Sequence, residues 1–583
     1  MKLSFLLLPL AGAASLAVAQ APAPTWTAAQ SKEILDKTQP IRLAPDLAHL
    51  TAGERTAVAK LIEVGRIFQE LYEEQRHHQA LAAKARLGAG SPEATLYRLF
   101  NGPIATTLDN RLVPFLPVTK APPGKNVYPL DLTEAEYEAY LAANPQRRSE
   151  LTHIRSVIRR ADRASLARDI ATLQRYPALD ILHHGLRERL QRMAQRPDSK
   201  QLYGLPYSVA YAPRLVRAST LLQEAADAVE RDDEQFARYL RNRARDLLTD
   251  DYEAGDAAWL KGRFKNLNAQ IGAYESYDDE LAGTRAFHSL SLLATRTAES
   301  AALRKAMQGM QELENSLPYG RHRKIQEDIP VGVYDVIADF GQARGTNTAT
   351  NLPNEAYLVE RYGSIILLRT NIMRNPDLFK GSGDTFGAAI VPEQARHLTA
   401  DANFYRTLWH EVGHYLGPDV TASGETLDAI GADSNLLEEL KADLVSLFVA
   451  RELARRNYYT SDQLRTVYAS GILRVLQNNK PRREQPYNMM QLMQWNWFLD
   501  RGVLSFDPAT AKMRIDYDRY HAAVGDLLKE VMALQEAGDA RRAAAFTDRW
   551  GKWDDNLHGR IAANIRNQQR YRYRLVRYAA MGE

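Results

Sequence analysis

Cysteine is absent from the whole 583-residue chain. That excludes disulfides, thiolate metal sites and cysteine nucleophiles, so any metal must rest on His, Asp or Glu. An excess of charge of one sign is also missing: 75 Lys and Arg face 71 Asp and Glu, a formal net charge of +4. So even a balance gives no footing for nucleic acid or a membrane surface as partner. Two locally basic stretches, RYRYRLVRY near the C-terminus and the text around Arg159-Arg160, read as solvated helical faces. Long hydrophobic runs are confined to the start, MKLSFLLLPLAGAASLAVAQ. There Lys2, the apolar Leu3 to Leu10 and the small residues Ala17-Val18-Ala19 have the order of a signal peptide spanning 1–19. Pro9 interrupts a run already short for a membrane span. The expectation is an exported protein, periplasmic or secreted, with no stable membrane insertion after cleavage and a monomeric state.

Internal repeats and low-complexity linkers are missing as well. Helical periodicity dominates what is present. Residues 51–86 alternate apolar and charged positions at helix spacing, and Thr51 followed by Glu54 has the form of a capping box. Further helices are predicted over 134–143, 148–195, 213–247, 286–316 and 392–570, the last broken by turn-rich text at 417–434. Residues 329–373 are instead β-rich runs punctuated by Gly, Pro and Asn, and 271–277 reads as another strand. Helices, then a small sheet, then helices again indicate a predominantly helical α+β chain in two lobes.

One motif carries chemistry. In Trp409-His410-Glu411-Val412-Gly413-His414, two histidines four apart share a helix face, and the Glu between them can reach a metal-bound water. Asp401 or Asn403 can cap this helix, Phe404 and Leu408 continue its apolar face, and Gly417-Pro418 ends it. Downstream stands Glu438-Glu439-Leu440-Lys441-Ala442-Asp443, where Asn435 and Glu438 can open a second helix with the stripe Leu436, Leu440, Leu444, Leu447 and Phe448. Glu439 and Asp443 share a face, so one can ligate a metal while the other accepts the spare N–H of a liganding histidine. Two imidazoles and a carboxylate make zinc the first choice, one ion per chain, although other divalent first-row metals fit the donor set.

These segments resemble the dipeptidyl peptidase III family (metallopeptidase family M49), in the subset with a five-residue HExxH rather than HExxxH. EELKAD at 438–443 is similar to the family's EExxAE or EExxAD segment, and the resemblance implies Glu439 as third ligand with Glu438 and Asp443 behind the ligands. Ile271-Gly272-Ala273-Tyr274-Glu275-Ser276-Tyr277 looks like the family's substrate-binding strand, and Asn351-Leu352-Pro353-Asn354 like its N-x-P-N segment. By that likeness Glu275, Asn351 and Asn354 receive the peptide's free ammonium, and Tyr277 hydrogen-bonds the reacting carbonyl. The family's catalytic histidine falls here on Tyr487, a phenol that donates a hydrogen bond but brings no charge near neutral pH.

The resemblance implies a zinc exopeptidase that releases N-terminal dipeptides from oligopeptides, with Glu411 as general base. It also implies two lobes about a wide cleft. The lower lobe, 20–296, holds helices and part of a small β-barrel-like core, completed by 335–380. Residues 297–334 cross into a helical zinc-bearing upper lobe at 381–567, and 568–583 return to the lower one. A zinc endopeptidase and a peptide-binding protein with weakened catalysis are the competing readings. Some family relatives carry an attached Nudix domain, but no Gly…Glu…Arg-Glu-x-x-Glu-Glu pattern occurs in this chain.

Overall fold

The computed structural model describes residues 25–108, 111–325, 330–483 and 485–583. The expected signal peptide lies outside them. Among the described residues no helix is long and apolar enough to cross a membrane.

Helix α1 (Ala52–Arg76) begins where the sequence puts its cap: Thr51 accepts from the Glu54 N–H, and the Glu54 carboxylate accepts from the Thr51 N–H. Its inner face lies on a central sheet, and Gly65 allows the closest approach. A Cβ there would stand 2.2 Å from the Phe340 ring.

That sheet has five strands: β1 (Leu267–Ala273), β2 (His288–Thr295), β3 (Val331–Gly341), β4 (Ala349–Leu352) and β5 (Ile365–Arg369). Their order is β1-β2-β3-β5-β4, antiparallel except for the β3–β5 pair. Among the described residues no ladder joins the outer strands β1 and β4, so the element seen is a five-stranded mixed sheet and not the barrel-like core expected. Alternation along β3 and β5 sends side chains to two different hydrophobic cores. Val336, Phe340, Ile365 and Leu367 join one core, while Val331, Val333, Ile366 and Leu368 join the other. The first core is built largely from residues before Thr295, the second from residues after Ala302. The C-terminal strand Tyr573–Tyr578 pairs in parallel with Thr38–Leu43, and its Val576 and Tyr578 enter the first core.

Several helical expectations fail. Residues 148–195 are interrupted by the strand Ser156–Ala161, and 286–316 begin with β2. The run RYRYRLVRY contributes a strand and not a helical face, as does Arg159-Arg160. In each case pairing to a distant strand overrides local propensity. The stretch 392–570 also contains the antiparallel strands Leu504–Asp507 and Lys512–Ile515. The strand at 271–277 is also displaced: β1 ends at Ala273, leaving Glu275 and Tyr277 on the loop that follows.

Candidate metal and peptide site

The second core positions the candidate metal-ligating side chains. Helix α2 (Ala402–Gly413) buries Phe404, Leu408 and Val412 and carries His410 and Glu411; His414 is its C-terminal cap. It crosses α3 (Ser434–Arg455), which buries Leu436, Leu440, Leu444 and Leu447. The crossing is between small residues. A Cβ on Gly413 would lie 2.7 Å from the carbonyl oxygen of Ala442 and 2.9 Å from its Cα, so only glycine permits this approach.

The close crossing brings Glu439 against both histidines. Its Oε2 stands 3.3 Å from His410 Nε2 and 3.8 Å from His414 Nε2. One ligand atom from each of the three residues falls within 4.8 Å of the others. Glu439 Oε2 is buried and makes no hydrogen bond, while Oε1 accepts from the Tyr487 hydroxyl at 2.9 Å. A buried carboxylate oxygen left without a donor and faced by two imidazole nitrogens fits a divalent cation.

Both rings are fixed from behind. His410 Nδ1 meets Asp443 Oδ1 at 2.7 Å, and His414 Nδ1 meets Glu438 Oε1 at 3.0 Å, leaving each Nε2 turned toward Glu439. Asp443 also accepts from Arg406 at 3.1 Å and from Arg474 at 2.8 Å. Burial alone would raise the Asp443 carboxyl, but Arg474, His410 and Arg406 together hold it far below the usual carboxylate range. Burial also works against a charged His410, yet Asp443 and Glu439 push that ring up to about 9. Glu438 is drawn down to about 2, against its burial, by Lys441 and His414. Lys441 is itself buried and donates to the carbonyls of Gly413, the last residue of α2, and Leu416 just beyond it.

These tertiary bonds displace the local caps read from sequence. Glu438 and Asn435 form no capping box: α3 begins at Ser434, its N-cap Asp433 pairs with Arg483, and Glu438 is spent on His414, Lys441 and Gln535. Asp401 precedes α2 without capping it, since its carboxylate binds Arg374, and α2 ends at Gly413, before Gly417-Pro418.

A cavity of about 750 Å³ opens in front of the histidines. Glu275, Tyr277, Asn351, Asn354, Glu411 and Tyr487 line it together with His410, His414 and Glu439. All nine residues expected to act on substrate or metal therefore border one space. Asn354 donates to Glu275 at 2.9 Å. Burial pushes the Glu275 carboxyl up, and the Asn354 bond opposes that. Asn351 accepts from the Tyr415 hydroxyl at 3.2 Å, which ties its segment to the residue after His414. Arg406, Lys441, Arg474 and Gln535 were not singled out in the sequence; Arg406, Arg474 and Gln535 act through carboxylates on another helix, and Lys441 through Glu438 on its own helix and the carbonyls of Gly413 and Leu416.

The donor set and the helix pair make a candidate metal site on a largely helical α+β scaffold. No protein-family profile matches the chain. Among solved structures it is similar to dipeptidyl peptidase III from Caldithrix abyssi, with a TM-score of 0.80 and 22% identity over 94% of this chain and 99% of that one. It is also similar to dipeptidyl-peptidase III from Corallococcus sp. strain EGB, with a TM-score of 0.77 and 24% identity over 96% and 99% of the two chains. The fold is thus that of dipeptidyl peptidase III, over nearly the whole length. A curated relative, Nudix hydrolase 3 of Arabidopsis thaliana, is 26% identical over 446 residues, 74% of this chain. The chain spans about half the length of that relative, 54%.

Proposed function

We propose that this protein is a zinc-dependent exopeptidase that cuts N-terminal dipeptides from oligopeptides. The observation that carries the reading is the shared cavity: a His–His–Glu donor set with both rings held from behind, Glu411 beside it, and the Glu275–Asn354 pair on the same wall. A zinc ion held by His410, His414 and Glu439 would supply Lewis acidity and bring a water's pKa toward neutrality.

The remaining roles belong to the chain's own groups. Glu411 takes the proton of the attacking water and returns it to the leaving amine. Tyr277 donates to the developing oxyanion. The Tyr487 hydroxyl is engaged by Glu439 Oε1, so it holds a ligand in place and can serve the oxyanion only by releasing that bond. Glu275 and Asn354, with Asn351, receive the substrate's α-ammonium, which fixes the cut two residues in. Closure of two lobes about the cavity would exclude water and carry Tyr277 to the reacting carbonyl.

Export is part of the same proposal and rests on the order of residues 1–19. Diphosphate hydrolysis finds no support, since the Nudix pattern is missing from the sequence. The test is mass analysis of products from one octapeptide offered with a free and with an acetylated N-terminus. Successive loss of dipeptides from the free peptide alone is expected; equal cleavage of both would replace this reading with an endopeptidase.

A further inference from the structure

The two arms of the ammonium clamp come from segments 79 positions apart in sequence, Glu275 after β1 and Asn354 after β4. β1 and β4 are the outer strands of the sheet, and among the described residues no ladder joins them directly. One side chain from the N-terminal region bridges them instead. The side chain of Arg155 is 4% exposed. Its Nε donates to the carbonyl of Ala273 at 3.0 Å, two positions before Glu275. Its Nη2 donates to Glu355 Oε1 at 2.6 Å, one position after Asn354. The planar group lies over the Tyr252 ring, 3.6 Å from the centroid, which fixes its orientation. The other oxygen, Glu355 Oε2, is buried and has no hydrogen-bond partner. Arg155 is therefore what holds this carboxylate, and with it the start of the segment beyond Asn354.

The neighbouring backbone acts on the same loop. The Ile154 carbonyl accepts from the Ala286 N–H at 2.9 Å, and the Phe287 N–H donates to the Glu275 carbonyl at 3.1 Å. The segment around Arg155 thus grips the far end of the loop that carries Glu275 and Tyr277, while the guanidinium grips its near end. A rigid fork with two donors in one plane can hold both arms at once; a lysine, with a single flexible ammonium, cannot reproduce both bonds.

We propose that Arg155 is a positioning residue for the substrate's amino terminus: by bonding Ala273 and Glu355 together it sets the separation of Glu275 and Asn354. This rests on the reading of that pair as the ammonium site. The inference gives the N-terminal region a part in substrate binding, with Arg155 and Glu355 acting as one unit.

The test uses the full-length protein and its Arg155→Met, Glu355→Ala and doubly substituted forms, with Glu275→Ala as control. kcat and KM are measured on an unblocked dipeptidyl-naphthylamide, alongside zinc content and thermal midpoint. KM is expected to rise roughly tenfold in each single variant, as for a misplaced binding group, with kcat within about twofold and zinc retained. The double variant should be no worse than either single one, which a merely structural pair has no reason to show in KM. Should Arg155→Met not fold, Glu355→Ala, which leaves the Ala273 bond and the Tyr252 stack in place, carries the test alone. Unchanged KM in folded variants, while Glu275→Ala raises it, would overturn the positioning role and leave the clamp standing. If Glu275→Ala also leaves KM unchanged, both the clamp and the proposal built on it are wrong.

Discussion

The two walls of the cavity are built differently. The metal wall is helix against helix: His410 is only 7% exposed, its ring is fixed by Asp443, and Asp443 is fixed by two arginines. The clamp wall is loop: Tyr277 is 76% exposed, and Glu275 and Asn354 lie just past strand ends, held by one another and by bonds from a distant segment. The first wall has its geometry set before any ligand arrives, as a metal centre requires. The second can adjust, as the proposed binding of varied peptides requires. Substitutions on the metal wall should therefore change kcat or metal content, and those of Glu275 and Asn354 on the clamp wall KM.

The largest effect expected is from Glu411→Gln. Turnover should fall roughly a thousandfold, within the range of a lost general base, with zinc content unchanged. Activity retained in that variant would remove Glu411 from its role. Gly413→Ala comes next. The added methyl meets the Ala442 backbone, so a loss of about 3 kcal/mol in unfolding free energy is expected, together with weakened zinc retention. A normal melting curve with full zinc would show that the helix crossing is not what sets the ligands.

The third prediction concerns pH. His410 is raised from 6.5 to about 9 in the metal-free protein. The charged ring thus stabilises the metal-free fold fully below pH 6.5, and that contribution fades as pH rises toward 9. Zinc requires the neutral ring, so apparent zinc affinity should climb over the same window, approaching about tenfold per pH unit while this proton is displaced. Titration calorimetry at several pH values checks it, and a flat profile speaks against the assignment of His410 as ligand. The smallest effect is that of Tyr487→Phe, which frees Glu439 Oε1. Zinc affinity should drop by about tenfold, the scale of lost support behind a ligand. A fall in kcat with unaltered zinc binding would instead assign the hydroxyl to the oxyanion.

Much of the metal wall was legible because its signals are local. HExxH on an amphipathic helix and EELKAD on another contain the candidate ligands, while the choice of Glu439 over Glu438 and Asp443 comes from the family resemblance. The sequence does not show why the helices meet as they do; that depends on Gly413 lying against Ala442, a contact between two separate helices. Arg155 and Glu355 were invisible for the same reason, being 200 positions apart. The strand His288–Thr295 was read as helix because it is buried on both faces, so Leu290, Leu292 and Leu293 fit either period. Thr51 and Glu54 show the opposite case, a helix start encoded within four residues and found where expected.

The most direct test of the central claim is dipeptide release from an unblocked dipeptidyl-naphthylamide by the purified protein, before chelation, after chelation, and after zinc is returned. The account predicts one zinc per chain, release abolished by the chelator, and recovery at one equivalent of added zinc. Release that persists in the chelated protein would contradict it.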